Sequence, residues 1–410
     1  MFLLFLLFCG GDTMVTLIKF FDKDTLKNIL APITLKPDKV VFIYDNGLKD
    51  MNYFISIKKC FLNHMPNVII EKMPVNVSSI DDIYYKTLEI VDKNENCIIE
   101  FTGGSELMMI AGYMAGSRSN SKLLYTDIIQ GKIINIHDKK DFIKTARLTL
   151  SDFIDAKGAC FLGNSHSEPE EWEFKKIIEM CHYIFENINE WKSTCSFFQI
   201  AVSNMSSEDL NLKSKMYLSF KNGKRVSPNK DMLNRFLKLG FIEDLNMTKE
   251  NIRFEFKNKK YKQYMIGFGL WLELYVYISA KMSGVFDDVR LGSVIDWNAY
   301  DGISIAGNEI DVIIMDNSMP IFISCKLREA DTAALNELVI ARKRLGGWFS
   351  KNIMVSFGKD KQKNSGTYKR AKELGIAFLD MKDIKSHDFS NILVETIRGQ
   401  DLVSLKWTKV

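Results

Sequence analysis

The chain lacks the residue patterns of the common zinc and disulfide frameworks. Its seven cysteines are scattered and include no Cys-x-x-Cys pair, which excludes a cysteine-based zinc site and a disulfide framework. Its five histidines show no His-Glu-x-x-His spacing, which argues against a zinc hydrolase, and a lone histidine is more often packed or solvated than catalytic. Together with 19 methionines and only seven prolines, this usage favours a reducing, cytoplasmic compartment.

Strong net charge and long apolar runs are also missing. The formal net charge of +4 permits a local basic groove for a polyanion but does not by itself indicate one. The apolar residues 1–9 are far fewer than the ~20 that a membrane span needs, and no basic residue or small-residue cleavage site flanks them. We therefore expect residues 1–13 to be a non-native or disordered start, with Met14 as the true start and no membrane association. A truncated signal or lipid anchor is the alternative.

The remaining composition is that of a globular protein with several domains. The sequence is 46% hydrophobic and 26% charged, and its 410 residues favour two or three domains. Short apolar runs alternate with helical patterns from residue 14 to about residue 136, which predicts a Rossmann-like, largely parallel α/β sheet. Between residues 230 and 256, a helix, a glycine and a short hairpin predict a winged-helix-like unit. Such a unit reads DNA or, more often, connects two domains.

Two strand-like runs near the C-terminal end carry charged residues at alternating positions. Because side chains alternate faces along a strand, Glu309 and Asp311 project to one side, and Ser324 and Lys326 share a face of the next run. If the two runs pair as a hairpin, two carboxylates and an ammonium converge, which suits a hard divalent metal and an activated water. The alternative is a solvated face. Glu273, the lone charge in an upstream apolar helix, favours the metal, because a buried carboxylate needs a cation.

A second candidate site is the string Thr102-Gly103-Gly104-Ser105, between a predicted strand and a predicted helix. In open α/β sheets ligands bind at that edge, glycines let the backbone approach a ligand, and a helix N-terminus attracts anions. The string is not a Walker A loop, because the Gly-Lys-Ser/Thr end is missing. It predicts a site for a phosphate-bearing ligand, with an ordinary helix cap at Ser105 or Thr102 as the alternative.

The residues around the two charged runs resemble a known nuclease core. The string Asn308-Glu309-Ile310-Asp311-Val312, followed by Ser324-Cys325-Lys326, is similar to the PD-(D/E)XK core, and the helix with Glu273 fits the helix that precedes it. That core usually has an acid two residues before the lysine, where this chain has Ser324. Glu309, on the same strand face as Asp311, is the expected replacement.

The first domain resembles a sensor. With its Thr102-Gly103-Gly104-Ser105 string it is similar to the CARF domain, which senses cyclic oligoadenylates. Over residues 14–410 the chain thus resembles the CARF–PD-(D/E)XK effector nucleases of type III CRISPR defence. The resemblance implies an α/β protein with an N-terminal Rossmann-like CARF domain (14–150), a winged-helix-like connector (165–260) and a C-terminal restriction-endonuclease-like domain (261–410).

The resemblance also implies an activity and a ligand. It implies a metal-dependent endonuclease of DNA, RNA or both, activated by a cyclic oligoadenylate, cyclic tetra-adenylate above all, in antiviral defence. A homodimer would bind this ring-shaped ligand across its two-fold axis. The residues implied to bind the ligand are Phe21, Asp22, Lys23, Asp45, Thr102, Gly103, Gly104 and Ser105.

In the nuclease domain the implied catalytic residues are Glu273, Glu309, Asp311 and Lys326. Asp311, Glu309 and the carbonyl of Cys325 would hold Mg²⁺ or Mn²⁺, with Glu273 binding directly or through water. Lys326 would orient the attacking water and stabilise negative charge on the phosphate.

Two other functions fit the same patterns. One is a constitutive restriction- or repair-type nuclease whose α/β domain only forms the dimer. The other is a ligand-responsive transcription regulator that uses the winged-helix unit and carries an inactive nuclease domain. Against the regulator, the candidate recognition helix has only Arg235 and Lys238 and no dense row of basic residues.

Overall fold

The computed structural model describes residues 14–119, 121–138, 142–220, 222–300, 307–358 and 366–399. Residues 1–13, for which we expect a non-native or disordered start, lie outside the described residues. Within the described part of the chain, no helix has both the length and the apolar character to cross a membrane. The same part contains two large β-sheets and two small ones.

The first large sheet has seven strands in the order β3-β2-β1-β4-β5-β6-β7. β1 to β5 run parallel, and β6 and β7 extend the sheet as antiparallel strands. Every residue of β1 is buried, as expected of a central parallel strand between helices. The strands are β1 (Val15–Phe20), β2 (Lys39–Asp45), β3 (Ile69–Val75), β4 (Asn96–Glu100), β5 (Lys122–Asp127), β6 (Lys132–Asn135) and β7 (Phe142–Lys144). The helices are α1 (Thr25–Leu35), α2 (Asn52–His64), α3 (Ile80–Asp92), α4 (Glu106–Ser119) and α5 (Leu150–Lys157).

The order of the strands reverses between β1 and β4. β2 and β3 lie on one side of β1, and β4 and β5 lie on the other. In doubly wound sheets a ligand crevice forms outside the carboxyl ends of the strands at this reversal. The segments that follow β1 and β4, with Phe21 and Thr102, therefore flank the crevice.

After α5 the chain leaves the first sheet. β8 (Cys160–Asn164) pairs with a strand of the second large sheet, more than 120 residues further along the chain. The connector follows, and its α8 packs on a three-stranded antiparallel sheet of order β12-β13-β9, an arrangement that matches the predicted winged-helix-like unit. Its elements are α6 (Phe174–Glu186), α7 (Ile188–Val202), β9 (Asn211–Lys215), β10 (Leu218–Ser219), β11 (Arg225–Val226), α8 (Lys230–Lys238), β12 (Ile242–Met247) and β13 (Asn251–Phe256).

The second large sheet has the order β18-β17-β16-β15-β14-β8. The pairs β8–β14, β14–β15 and β15–β16 are antiparallel, whereas β16, β17 and β18 run parallel. Its elements are α9 (Lys259–Ile266), α10 (Leu270–Ser283), β14 (Asp288–Asp296), β15 (Asn308–Asp316), β16 (Met319–Lys326), α11 (Thr332–Ala341), β17 (Lys351–Ser356), α12 (Gly366–Glu373), β18 (Ile376–Leu379), α13 (Met381–Ile384) and α14 (Phe389–Gly399). A π-helical turn, Arg342–Gly346, continues α11.

The turn between β15 and β16 contacts the first domain. Asn317 and Ser318 both have positive φ angles, 50° and 66°, as in the type I′ turns that close tight hairpins. The Ser318 hydroxyl donates to the carbonyl of Ala146 at 2.9 Å and accepts the backbone N–H of Leu148 at 3.0 Å. This hydroxyl is fully buried, so the turn is fixed to the segment that precedes α5.

Asp24 makes a second contact between the two domains. One carboxylate oxygen caps α1 by accepting the Leu26 N–H at 3.3 Å, and the other accepts the Trp348 N–H at 3.2 Å. Gly347 has φ 61°, and a Cβ at that position would lie 2.9 Å from the Asp24 carboxylate, so glycine allows the close approach. Burial raises the pKa of Asp24, although the bond from Trp348 opposes the shift.

Candidate functional site

The β15–β16 hairpin positions three of the predicted catalytic side chains at one end of the second sheet. Val312 pairs with Ile323, so Asp311 lies opposite Ser324. A single carboxylate oxygen of Asp311, Oδ2, accepts the Cys325 N–H at 2.7 Å, the Ser324 hydroxyl at 3.2 Å and the Lys326 ammonium at 3.4 Å. These bonds fix the carboxylate, and its Oδ1 accepts no hydrogen bond from the described residues.

Glu273 approaches the same point from α10. Most of its helix is buried, since ten residues of Leu270–Ser283 belong to the core. Burial raises the pKa of Glu273 well above its usual range, and the charges of Asp311 and Glu309 raise it further, whereas Lys326 acts in the opposite direction. Its Oε2 atom is buried and has no hydrogen-bond partner in the described structure. A buried carboxylate oxygen without a partner costs stability unless a cation or proton reaches it.

Glu309 and His166 complete the cluster. Glu309 is on β15, two residues before Asp311, and its carboxylate is 46% exposed. His166 follows β8, and its Nε2 lies 3.9 Å from the Glu309 carboxylate. One ligand atom from each of His166, Glu273 and Glu309 lies within 4.8 Å of the other two. Burial lowers the pKa of His166, although the charges of Glu309 and Asp311 oppose the shift.

A cavity of about 390 Å³ opens beside this cluster. Glu309, Asp311, Ser324 and Lys326 line it, together with apolar side chains of α11. The donor set fits a divalent metal: two carboxylates and an imidazole converge, and one of the carboxylate oxygens is buried without a hydrogen-bond partner among the described residues. Of the predicted metal ligands, Cys325 contributes its backbone N–H to Asp311, and its thiol is buried among the core residues.

Lys326 keeps its charge in this cluster. Burial lowers the pKa of its ammonium, but the charge and hydrogen bond of Asp311, together with other nearby groups, outweigh burial, and the net shift is upward. The side chain is 25% exposed and lines the cavity, so its ammonium can reach an anion bound there.

The Thr102–Ser105 loop rests on a buried polar network. Lys19 and Glu100, both fully buried, form an ion pair, and the Lys19 ammonium donates to the Thr102 carbonyl at 3.0 Å. Glu100 Oε1 also accepts the N–H of Thr102 and both the N–H and hydroxyl of Thr126. The Thr102 hydroxyl bonds to the Thr126 backbone, so this predicted ligand donor is engaged inside the protein.

Gly103 and Gly104 occupy backbone positions that favour glycine. Their φ angles are 124° and 78°, which residues with a side chain rarely adopt. A Cβ on Gly103 would lie 2.9 Å from the Phe20 carbonyl oxygen, and one on Gly104 would lie 2.7 Å from the Phe20 Cβ. The Ser105 hydroxyl accepts the Met108 N–H at 3.3 Å, so Ser105 caps α4 as the alternative interpretation predicts.

The predicted ligand-binding residues surround two adjoining cavities at the reversal in strand order. The larger, of about 640 Å³, is lined by six of them: Phe21, Asp22, Lys23, Asp45, Gly104 and Ser105. The smaller, of about 220 Å³, is lined by Thr102, Gly103 and Gly104. Phe349, which belongs to the C-terminal domain, also lines the smaller cavity. Sequence patterns gave no signal for Phe349 or for His166, because neither lies in a local motif.

Residues 259–396 match the family model described as Card1-like, endonuclease domain. A comparison with curated proteins finds no sequence match. Several solved structures are similar in fold. Can2 from Sulfobacillus thermosulfidooxidans, solved in complex with cyclic tetra-adenylate, is 16% identical with a TM-score of 0.67 over 96% of this chain and 99% of that one.

Protein VC1899 from Vibrio cholerae is 15% identical with a TM-score of 0.73, over 95% of this chain and 100% of that one. A type III CRISPR defence DNA nuclease activated by cyclic oligoadenylate is 12% identical with a TM-score of 0.52, over 85% of this chain and 46% of that one. The C-terminal part of the chain therefore matches an endonuclease family, and the predicted fold class and the resemblance to CARF–PD-(D/E)XK effectors are confirmed.

Proposed function

We propose that the Card1-like endonuclease domain of this chain cleaves phosphodiester bonds with a divalent metal, and that a cyclic oligoadenylate bound to the first domain activates it in type III CRISPR defence. The observation that carries the proposal is the convergence of Glu273, Glu309 and Asp311 with Lys326 beside an open cavity. The match of residues 259–396 to an endonuclease family supports it.

Asp311, Glu309 and Glu273 would hold Mg²⁺ or Mn²⁺. When bound, such a metal lowers the pKa of a coordinated water and stabilises negative charge on the phosphate oxygens. Asp311 is oriented for this role, because three donors fix its Oδ2, and Oδ1 accepts no hydrogen bond from the residues that the structure describes. Ser324 acts as one of these donors, so it contributes to the position of Asp311 rather than supplying a carboxylate of its own.

Lys326 would stabilise the negative charge that grows on the phosphate. Its ammonium stays charged because Asp311 raises its pKa, and a charged donor in a partly buried cavity acts more strongly than one in water. Its contact with Asp311 orients it towards the same cavity. Lys343 and Arg344, both exposed in the turn after α11, are suited to contact substrate phosphates.

The two cavities of the first domain would hold the cyclic oligoadenylate. The backbone of Gly103 and Gly104 approaches them without a side chain, and Lys23 offers an exposed ammonium. The aromatic rings of Phe21 and Tyr53, whose centroids are 5.6 Å apart, line the larger cavity and could stack against an adenine. Cyclic tetra-adenylate is the first ligand to test.

An exposed apolar surface supports a homodimer. α4 begins directly after the Gly103–Gly104 loop and exposes four large apolar side chains, Leu107, Ile110, Tyr113 and Met114. Exposed apolar patches of this kind mark protein interfaces. Pairing of α4 with its copy in a second chain would bring two ligand cavities together, as a two-fold symmetric ring requires.

The contacts between the two domains offer a direct route for activation. Asp24 is two residues after Asp22, which lines the larger cavity, and it contacts Trp348 of the endonuclease domain. Ser318 links the turn of the active hairpin to the first domain. A ligand that favours one arrangement of the sensor loop would therefore bias the endonuclease domain, in addition to any route through the connector.

One experiment tests the proposal. The purified chain is incubated with labelled single- and double-stranded DNA and RNA in Mg²⁺, Mn²⁺ or EDTA. Each reaction is run without activator, with cyclic tetra-adenylate and with cyclic oligoadenylates of other ring sizes. We expect cleavage that needs metal and is much faster with the ligand. Cleavage in EDTA would contradict the metal site, equal rates with and without every cyclic oligoadenylate would contradict the sensor, and no cleavage of any substrate would contradict the nuclease.

A further inference from the structure

His166 lies beside the active cluster, although neither its sequence context nor the resemblance assigns it a role. We propose that His166, Glu273 and Glu309 form a mixed nitrogen and oxygen metal site that binds Mn²⁺ in preference to Mg²⁺. The inference rests on the proposed function insofar as both use the same cavity, but metal binding can be measured without cleavage.

The geometry of the three side chains suits one ion. Because the three ligand atoms lie within 4.8 Å of one another, a single point lies within about 2.8 Å of all three. Metal–ligand bonds to nitrogen and oxygen are about 2.0–2.2 Å long, so shifts of well under about 1 Å would complete the coordination. The described residues give the His166 ring no hydrogen bond, and its nearest ionic partner is Glu309 at 3.9 Å.

The backbone around His166 is held on both sides. The Ser165 N–H donates to the Gly292 carbonyl of β14 at 2.7 Å, and Tyr264 donates through its hydroxyl to the Ser167 carbonyl at 2.6 Å. Glu168 accepts the Leu291 N–H at 3.1 Å. The segment is therefore fixed against β14 and α9, so that the imidazole is positioned before any ion binds.

Glu273 provides the second, independent observation. Its Oε2 atom is buried and lacks a hydrogen-bond partner within the described structure, and it belongs to the cluster that includes His166. Such an atom is stabilised by a cation.

The imidazole sets the preference between metals. Mg²⁺ takes oxygen ligands in a strict octahedron and retains several waters, whereas first-row transition metals accept imidazole readily. Loss of one nitrogen ligand should therefore weaken Mn²⁺ binding much more than Mg²⁺ binding. Outer-shell changes alone cost about 10–100-fold in metal affinity, so loss of a direct ligand should cost at least about tenfold.

The test measures Mn²⁺ binding by the full chain without nucleic acid or cyclic oligoadenylate. Binding is monitored as the loss of the electron paramagnetic resonance signal of free Mn²⁺. Mg²⁺ affinity is measured by competition. We expect His166→Gln to weaken Mn²⁺ binding by about tenfold or more and to change Mg²⁺ binding less. His137→Gln, which removes an exposed histidine of the first domain, is the matched control and should bind both ions as the parent does.

A second variant tests the ligand chemistry and guards against simple unfolding. His166→Asp replaces nitrogen with oxygen and should bind Mg²⁺ relatively better, so that the ratio of the two affinities falls towards one. Both variants are checked by thermal melting in EDTA. Unchanged Mn²⁺ affinity in His166→Gln, or no Mn²⁺ binding by the parent chain, would overturn the inference. If the chain then still cleaves nucleic acid with metal, only the inference about His166 fails and the proposed function stands. If Mn²⁺ binding depends on His166 but no substrate is cleaved, the proposed function fails and the metal site stands.

Discussion

The backbone N–H of Trp348 donates a hydrogen bond to the carboxylate of Asp24, 324 residues earlier in the chain, at 3.2 Å. Asp24 uses one oxygen for this bond and the other to cap α1. A single substitution can therefore remove the bond from Trp348 while it keeps the helix cap.

Asp24→Asn should reduce the stimulation of cleavage by cyclic oligoadenylate. Asparagine keeps the helix cap through its one carbonyl oxygen, because it caps as well as aspartate. It then has no second oxygen for the Trp348 N–H, so the contact between domains is lost. A hydrogen bond to a charged group is worth about 1.5–3 kcal/mol, so the ratio of stimulated to unstimulated rates should fall by about tenfold or more. The measurement is the cleavage rate over a ligand titration.

The control for this effect is Asp388→Asn, which removes an exposed carboxylate of the endonuclease domain. Gly347→Ala should reproduce the defect from the other side, because its Cβ would lie 2.9 Å from the Asp24 carboxylate. Full stimulation in both Asp24→Asn and Gly347→Ala would show that activation does not depend on the contact between Asp24 and Trp348.

Asp311→Asn and Lys326→Gln should each lower the cleavage rate by about a thousandfold or more, because each removes a charge aimed at the reacting phosphate. Ligand binding should be unchanged, since both residues belong to the second large sheet and line neither cavity of the first domain. Single-turnover cleavage and fluorescence titration with a labelled cyclic oligoadenylate measure the two properties. Glu329→Gln, at an exposed position just after β16, is the charge control. Near-normal rates in either active-site variant would contradict the assignment.

Glu273→Gln should raise thermal stability in EDTA while it lowers metal binding. The substitution removes a buried carboxyl group whose pKa is raised by burial and by the charges of Asp311 and Glu309. If the gain is about 1 kcal/mol, the melting temperature rises by about 2–4 °C. Because the folded-state pKa lies above the unfolded value, the stability of the native Glu273 chain is fully present in acid and falls as pH rises through the folded pKa.

The difference in melting temperature should therefore be small at acidic pH and grow as pH is raised. Melting curves across a pH series in EDTA provide the measurement, with the exposed Glu337→Gln as the control. A difference of the opposite sign, or one that does not change with pH, would show that Glu273 carries no unfavourable charge.

Lys23→Ala should weaken binding of the cyclic oligoadenylate by about tenfold without a change in melting temperature. Its ammonium is exposed at the rim of the larger cavity, where it can pair with a phosphate, and a tenfold loss corresponds to about 1.4 kcal/mol. Lys58→Ala, an exposed lysine of α2, is the control. Isothermal titration of the ligand measures both, and equal affinities would exclude Lys23 from the site.

Sequence patterns predicted the parts of this molecule that depend on local order. The alternation of strands and helices follows from apolar periodicity, and the shared face of Glu309 and Asp311 follows from the two-residue repeat of a strand. The hairpin of β15 and β16 then brings Lys326 to Asp311, as the alternating charges indicate.

The remaining contacts depend on pairings between distant segments. His166 reaches Glu309 only because β8 joins the edge of β14, and a lone histidine carries no local pattern that predicts such a pairing. Ser324 was interpreted from sequence only as the position of a missing acid, yet its hydroxyl donates to Asp311 at 3.2 Å. That geometry requires the register of the folded hairpin.

The position of β8 also determines how the endonuclease domain can be produced alone. A recombinant fragment that begins at residue 259 would contain the whole matched family segment but not Cys160–Asn164. Its β14 would then expose a row of unpaired backbone groups, and such open strand edges associate with one another. The fragment would therefore tend to aggregate and would lack His166, so a fragment that keeps the second sheet intact must also include the segment from residue 160.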